Sequence, residues 1–304
     1  MASFSIYSSM QANKFITTLR SAYKILSRKN PLQMAGATAF FTSFALPCIL
    51  LILVQTIGVL YNSNNFKHGI FAQLATVLGK APAKKIFDIF SQFQKAEHTW
   101  IATVAGFIFM LFVVTTLLNV VRNSINIIWN VETKPAGIIL FLKLRLKSLL
   151  VIGFAGIIVL LQLLASGLQA LLKGAISDVW SGYNSLLYKL ISQFVFMLIA
   201  TGWFTVLFRY LSNAHPGWRT AFAGGIFTSL LFTIGKIVIG FLLSITALGN
   251  VYGPAGSFVL VLLFVFYSSF IFYYGTAFTR AWAEKHHKEF QLEENAHWYH
   301  VERN

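Results

Sequence analysis

Lys236 stands in "FTIGKIVIGFL" (Phe232–Leu242) as a single cation within a long apolar run that holds no Asp or Glu. An amine in that setting has three options. It loses its proton, it is held by carbonyls and amides, or it meets an anion such as a lipid phosphate or a transported solute. The other polar side chains set in apolar stretches are amides: Gln55, Asn119, Gln162, Gln169 and Gln193. Interhelical hydrogen bonding is the ordinary role of such amides, with a minority lining a cavity. Arg209 and Arg219 flank the turn "YLSNAHPGW", where they suit lipid phosphates at a membrane face or simply mark orientation.

Other chemistry has little support. The chain contains no GxxxxGK[ST] phosphate loop, no HExxH and no G-x-S-x-G elbow. All nine acidic residues lie outside the apolar stretches, so neither a carboxylate relay nor a metal-dependent nuclease centre assembles. His286, His287, His297 and His300 crowd the polar tail, but a structural metal needs four ordered ligands, and the expectation is a solvated tail. Cys48, the single cysteine, sits in apolar "LPCIL" as a buried thiol. No enzyme, cofactor or metal is expected.

The elements that carry these residues follow from composition. Of 304 residues, 57% are hydrophobic and 11% charged, against roughly 25% charged in a soluble domain. A bilayer core requires about 20 apolar residues in a helix. Six stretches qualify: Ala35–Leu60, Trp100–Val121, Ser148–Leu172, Leu190–Tyr210, Thr220–Ser244 and Ala255–Phe278. Each is expected as a helix, because lipid leaves no partner for an open strand. The fold class is therefore all-α, a polytopic membrane protein with six spans. With both termini in the cytoplasm, 16 of the 24 Lys and Arg fall on the inside, as cationic loops prefer. The net charge of +15 then reads as orientation and contact with the anionic inner leaflet rather than as nucleic-acid binding.

Outside the spans, residues 1–34 form a basic amphipathic lead with Phe15, Leu19, Ala22, Tyr23 and Leu26 on one face, expected to lie on the membrane. The membrane domain covers residues 35–280. Its first hydrophobic segment is too long for a signal-peptide core and is expected to be retained. Residues 62–99 form an external loop whose Pro82 opens a helix bearing Ile86, Ile89, Phe90 and Phe93. Residues 281–304 form the polar tail. Small-residue pairs at Ala35/Ala39, Ala221/Gly225 and Gly249/Gly253 suit close helix packing, and a homo-oligomer is compatible with this organisation.

Several stretches occur in the order found in one family. They are "QMAGATAFFTSFALPCILLIL", "IWNVE", "LFRYLSNAHPGWRTAFAGGIFTSLLFTIGKIVIGFLL" and "NVYGPAGSFVLVLLFVFYSSFIFYYGTAFTRAW". From Gln33 to Trp282 the chain resembles the YihY/BrkB family of bacterial inner-membrane proteins, once labelled ribonuclease BN. The resemblance implies six helices with cytoplasmic ends. It also implies functional weight at Pro47, Trp129, Arg209, Asn213, Trp218, Arg219, Gly235, Lys236, Tyr252, Gly253, Gly256 and Gly275. Family members carry glutamate where this chain has Ala277, and some carry one near Thr233, so the acid that would offset Lys236 is missing here. A link to serum resistance and to movement of envelope components implies a transporter or flippase-like exporter of an anionic or amphipathic molecule. The alternative is a non-transporting scaffold for envelope integrity. A membrane-bound ribonuclease is a remote one.

Overall fold

The computed structural model describes residues 2–60, 83–84, 88, 100–133, 153–154, 157, 184–245, 256–293 and 296–299. The elements run α1 (Ala2–Ser27), α2 (Pro31–Leu60), α3 (Trp100–Trp129), β1 (Val131–Thr133), α4 (Asn184–Tyr210), β2 (Ala214–His215), α5 (Trp218–Ile245), α6 (Gly256–Lys285), β3 (Gln291–Leu292) and β4 (Ala296–Trp298). Among the described residues four stretches are long and apolar enough to cross a bilayer: Leu111–Trp129, Leu190–Tyr210, Trp218–Val238 and Phe258–Lys285. Helix α2 covers the first expected span as well. The third expected span, with Gln162 and Gln169, lies outside the described residues, save that Gly153, Phe154 and Ile157 are helical. Of the external loop, Ala83, Lys84 and Asp88 are helical and the rest lies outside.

Helix α6 is the hub, packing against α1, α2, α3 and α5, while α4 packs on α5. Its side chains Tyr273, Thr276, Ala277 and Thr279 are fully buried. Small residues let the helices approach. Ala35 and Ala39 of α2 are buried, as is Ala221 of α5. A Cβ added to Gly225 would run into Thr205 and the Thr201 carbonyl of α4. On the outside, α5 shows Phe222, Ile226, Leu230, Ile234 and Ile237, all exposed at helical spacing. An apolar stripe of that length has its complement in hydrocarbon.

Two helices run beyond their expected ends. Helix α3 passes Val121 and stops at Trp129, where Asn130 takes a left-handed backbone (φ 57°) that asparagine tolerates. Helix α6 passes Phe278 and ends at Lys285. The extra turns are polar but packed. Arg122, expected as a loop cation, is only 3% exposed.

The tail is a further correction. Its polarity predicts a solvated segment, yet β4 pairs antiparallel with β1 (Glu132↔His297) and β3 with β2 (His215↔Gln291). The all-α expectation omits these strands because two- and three-residue pairings carry no periodicity of their own. They join the ends of α3, α4, α5 and α6 at one end of the bundle, the strand end. The tie between α1 and α2 is there too, since Lys29 Nζ donates to Tyr299 Oη at 3.0 Å.

The amphipathic lead is helical but sits differently from its expected face. Ala22 and Leu26 are buried together with Thr18, whereas Phe15 and Tyr23 are exposed. Tyr274 of α6 donates to the Leu19 carbonyl at 3.2 Å. Lys285 Nζ donates to the Lys14 carbonyl and Thr17 Oγ1.

Candidate functional site

Antiparallel packing of α4 on α5 creates a polar seam. Residues four apart share a helix face, so Gln193, Thr201 and Thr205 of α4 fall in register, as do Gly225, Ser229 and Thr233 of α5. Near the strand end the seam is satisfied. Thr205 Oγ1 donates to the Thr201 carbonyl at 2.7 Å, and the Thr201 and Ser229 hydroxyls meet at 2.7 Å. Further along, Gln193 Nε2 and Thr233 Oγ1 are buried without a hydrogen-bond partner.

Lys236 lies one turn beyond Thr233 on the same helix. It is half-buried, and its Nζ stands 4.0 Å from the centroid of the Phe196 ring on α4. The negative face of an aromatic ring attracts a cation. Lys236 has no hydrogen bond or ion pair among the described residues. Phe196 thus occupies the place of the missing counter-charge, one turn from Gln193. Thr233 is buried on α5 and Ala277 fully buried on α6, so neither position supplies an acid.

The other expected site residues gather at the strand end. Along α5 the 17 residues from Arg219 to Lys236 rise about 25 Å, which divides the set in two. Arg209 donates through Nη1 to the Pro216 carbonyl and stands 5.7 Å over the Trp218 ring. Arg219 is exposed, with no hydrogen bond or ion pair among the described residues. Asn213 accepts from Asn126 Nδ2 at 2.8 Å and donates to Glu293 Oε2 at 2.7 Å. Trp129 is fully buried, and its Nε1 donates to the Thr276 carbonyl at 2.9 Å. Asn119 accepts a long 3.4 Å bond from Arg122, away from Lys236. Gly235 abuts Tyr267 and Ile271, and Gly275 abuts Thr228. Gly256 opens α6. Tyr252, Gly253 and the side chains of Pro47, Cys48 and Gln55 lie outside the described residues.

The strand end holds a network that sequence reasoning missed. Asn126 Oδ1 accepts from Ser212 Oγ (2.8 Å) and from the Asn213 amide (3.2 Å). Glu293 Oε1 faces His215 Nε2 at 3.3 Å. Arg122 Nε donates to the Leu211 carbonyl at 3.0 Å, while its Nη2 is buried and unpartnered. The available signal was the spacing of Asn119, Arg122 and Asn126, a polar stripe on one face of α3. The tail histidines are dispersed. His286 stacks on Trp282 at 4.3 Å, and His297 faces Glu132 at 3.8 Å. Among the described residues no three His, Cys, Asp or Glu side chains converge.

Long apolar helices, small-residue seams and an apolar outer stripe define a polytopic α-helical membrane protein. The family described as Virulence factor BrkB matches residues 22–298, and the chain belongs to it. It is 27% identical over 271 residues to a UPF0761 membrane protein of Nitrosospira multiformis, covering 88% of this chain and 61% of that one. It is 26% identical over 265 residues to a UPF0761 membrane protein of Pseudomonas aeruginosa, covering 84% and 59%. The chain thus spans about three-fifths of the length of these relatives. No solved structure matches it.

Proposed function

We propose that the chain is a bacterial inner-membrane transporter or flippase-like exporter of an anionic or amphipathic envelope molecule. The observation that carries this is the unsatisfied end of the α4–α5 seam. There, among the described residues, Gln193 Nε2 and Thr233 Oγ1 lack partners and Lys236 meets only the Phe196 ring. Buried donors without acceptors are costly, and an anionic group passing the seam would relieve all three. In this proposal the chain crosses six times with both termini in the cytoplasm, which puts the strand end on the inner face with most of the cationic residues.

Two experiments test it. In proteoliposomes, translocation of a phosphatidylglycerol with a fluorescent chain should fall about tenfold, equivalent to about 1.4 kcal/mol, in Lys236→Ala and persist in Lys236→Arg. A folded Lys236→Ala protein at full rate removes the lysine from the mechanism. For topology, in a Cys48→Ser background, an impermeant maleimide should label Asn62→Cys in intact cells and Glu289→Cys only after lysis. The reverse pattern overturns the orientation.

The seat of Lys236 on Phe196 favours a second reading, a non-transporting scaffold with a structural lysine. It expects Lys236→Met to keep function with stability equal or higher.

A further inference from the structure

The outward face of α4 carries Leu190, Phe194 and Leu198, all exposed and four apart. The next position in that row is Gly202, where a Cβ would meet nothing within 4 Å. The row of large side chains therefore breaks at a notch. Across from it, α5 begins with Trp218, Arg219 and Phe222. Together with Thr205 and Val206, these residues line a shallow, open surface groove of about 410 Å³.

The rim of the groove is charged in one sense. Among the described residues Arg219 is exposed and without a hydrogen bond or ion pair, whereas its neighbour Arg209 is occupied by the Pro216 carbonyl and the Trp218 ring. The first turn of α5 contains no acidic residue. Trp218 is 56% exposed beside Arg219, an indole at the boundary between apolar span and polar turn. The floor is apolar and continuous with the outer stripe of α5.

We propose that this groove is a binding site for one anionic phospholipid of the surrounding bilayer. Arg219 takes the phosphate, and an acyl chain lies in the notch over Gly202 between Val206 and Phe222. Charge complementarity selects the occupant, since among the described residues the rim offers an unpaired guanidinium and no carboxylate. The site is about 25 Å along α5 from Lys236 and is independent of any transport role.

Native mass spectrometry of the delipidated full chain, titrated with phosphatidylglycerol or phosphatidylcholine, tests this. The wild-type protein should take up a first phosphatidylglycerol about fivefold more tightly than phosphatidylcholine, equivalent to about 1 kcal/mol for one basic residue at the membrane surface. Arg219→Gln should abolish that preference while the first lipid still binds, and Arg20→Gln, on α1, should leave it intact. Gly202→Phe should remove the first adduct of either lipid, with an unchanged melting temperature as the check on folding. Both variants are read in a Lys236→Ala background, which removes the proposed transport seat; there a preference that survives Arg219→Gln, or a first adduct that survives Gly202→Phe, overturns the site. A dimer dispersed by Gly202→Phe, in place of a lipid adduct, assigns the groove to a second copy of the chain and also overturns it.

Discussion

Gly275 of α6 and Thr228 of α5 occupy adjoining space so closely that a Cβ on the glycine would overlap the threonine hydroxyl. The relationship is reciprocal. Gly224 of α5 meets Thr279 of α6 in the same way, and each threonine donates to the carbonyl of the glycine four residues before it, at 2.7 and 2.8 Å. Two Gly-x-x-x-Thr units thus lock the antiparallel pair, each hydroxyl being satisfied within its own helix.

Gly275→Ala should therefore lower stability by about 1–3 kcal/mol, the usual cost of overpacking. Gly202→Ala, with open space around it, should not. Thermal unfolding of both variants in the same detergent measures the contrast, and equal melting temperatures would refute the close-packing account.

The Lys236–Phe196 contact should appear as coupling. In a cycle of Lys236→Met, Phe196→Leu and the double variant, the interaction should be about 0.5–2 kcal/mol, as for a partly desolvated cation over a ring. Strict additivity of the three unfolding free energies would mean that the ring does not hold the amine.

Glu293 should matter more than its place in a polar tail suggests. It accepts from Asn213 and faces His215, so Glu293→Ala should cost about 1–3 kcal/mol. Glu284 makes a single, more exposed pair with Arg280, and Glu284→Ala should cost less than about 1 kcal/mol. Denaturant titration of the two variants ranks them.

Trp129→Phe should destabilise by about 1–3 kcal/mol, because the Thr276 carbonyl is left without the donor it meets at 2.9 Å in a buried setting. The same change at exposed Trp218 should have little effect on the unfolding curve.

The helices were legible because about 20 apolar residues admit little else in lipid. The strand end was not legible for physical reasons. Asn126, Ser212, Asn213 and Glu293 come from three separate segments, and nothing in the local pattern of any one announces the others. Lys236 was visible as an oddity, but its partner is an ordinary phenylalanine 40 positions earlier, which only the antiparallel seam brings near. Small-residue pairing was read at Ala35/Ala39 and Ala221/Gly225. The Gly-x-x-x-Thr exchange escaped because threonine is not small enough to suggest it.

The paired tail also has a consequence for synthesis. Residues 131–133 and 214–215 leave the ribosome long before 291–298, so for most of translation both loops await strands that do not yet exist. Contacts so distant in sequence form late and slowly. The described membrane helices are then assembled first and latched last, and a nascent chain halted before residue 291 would hold α1 to α6 with their ends still unfastened. Closure of the latch, rather than insertion, therefore separates a chain that carries residues 291–298 from one truncated before them.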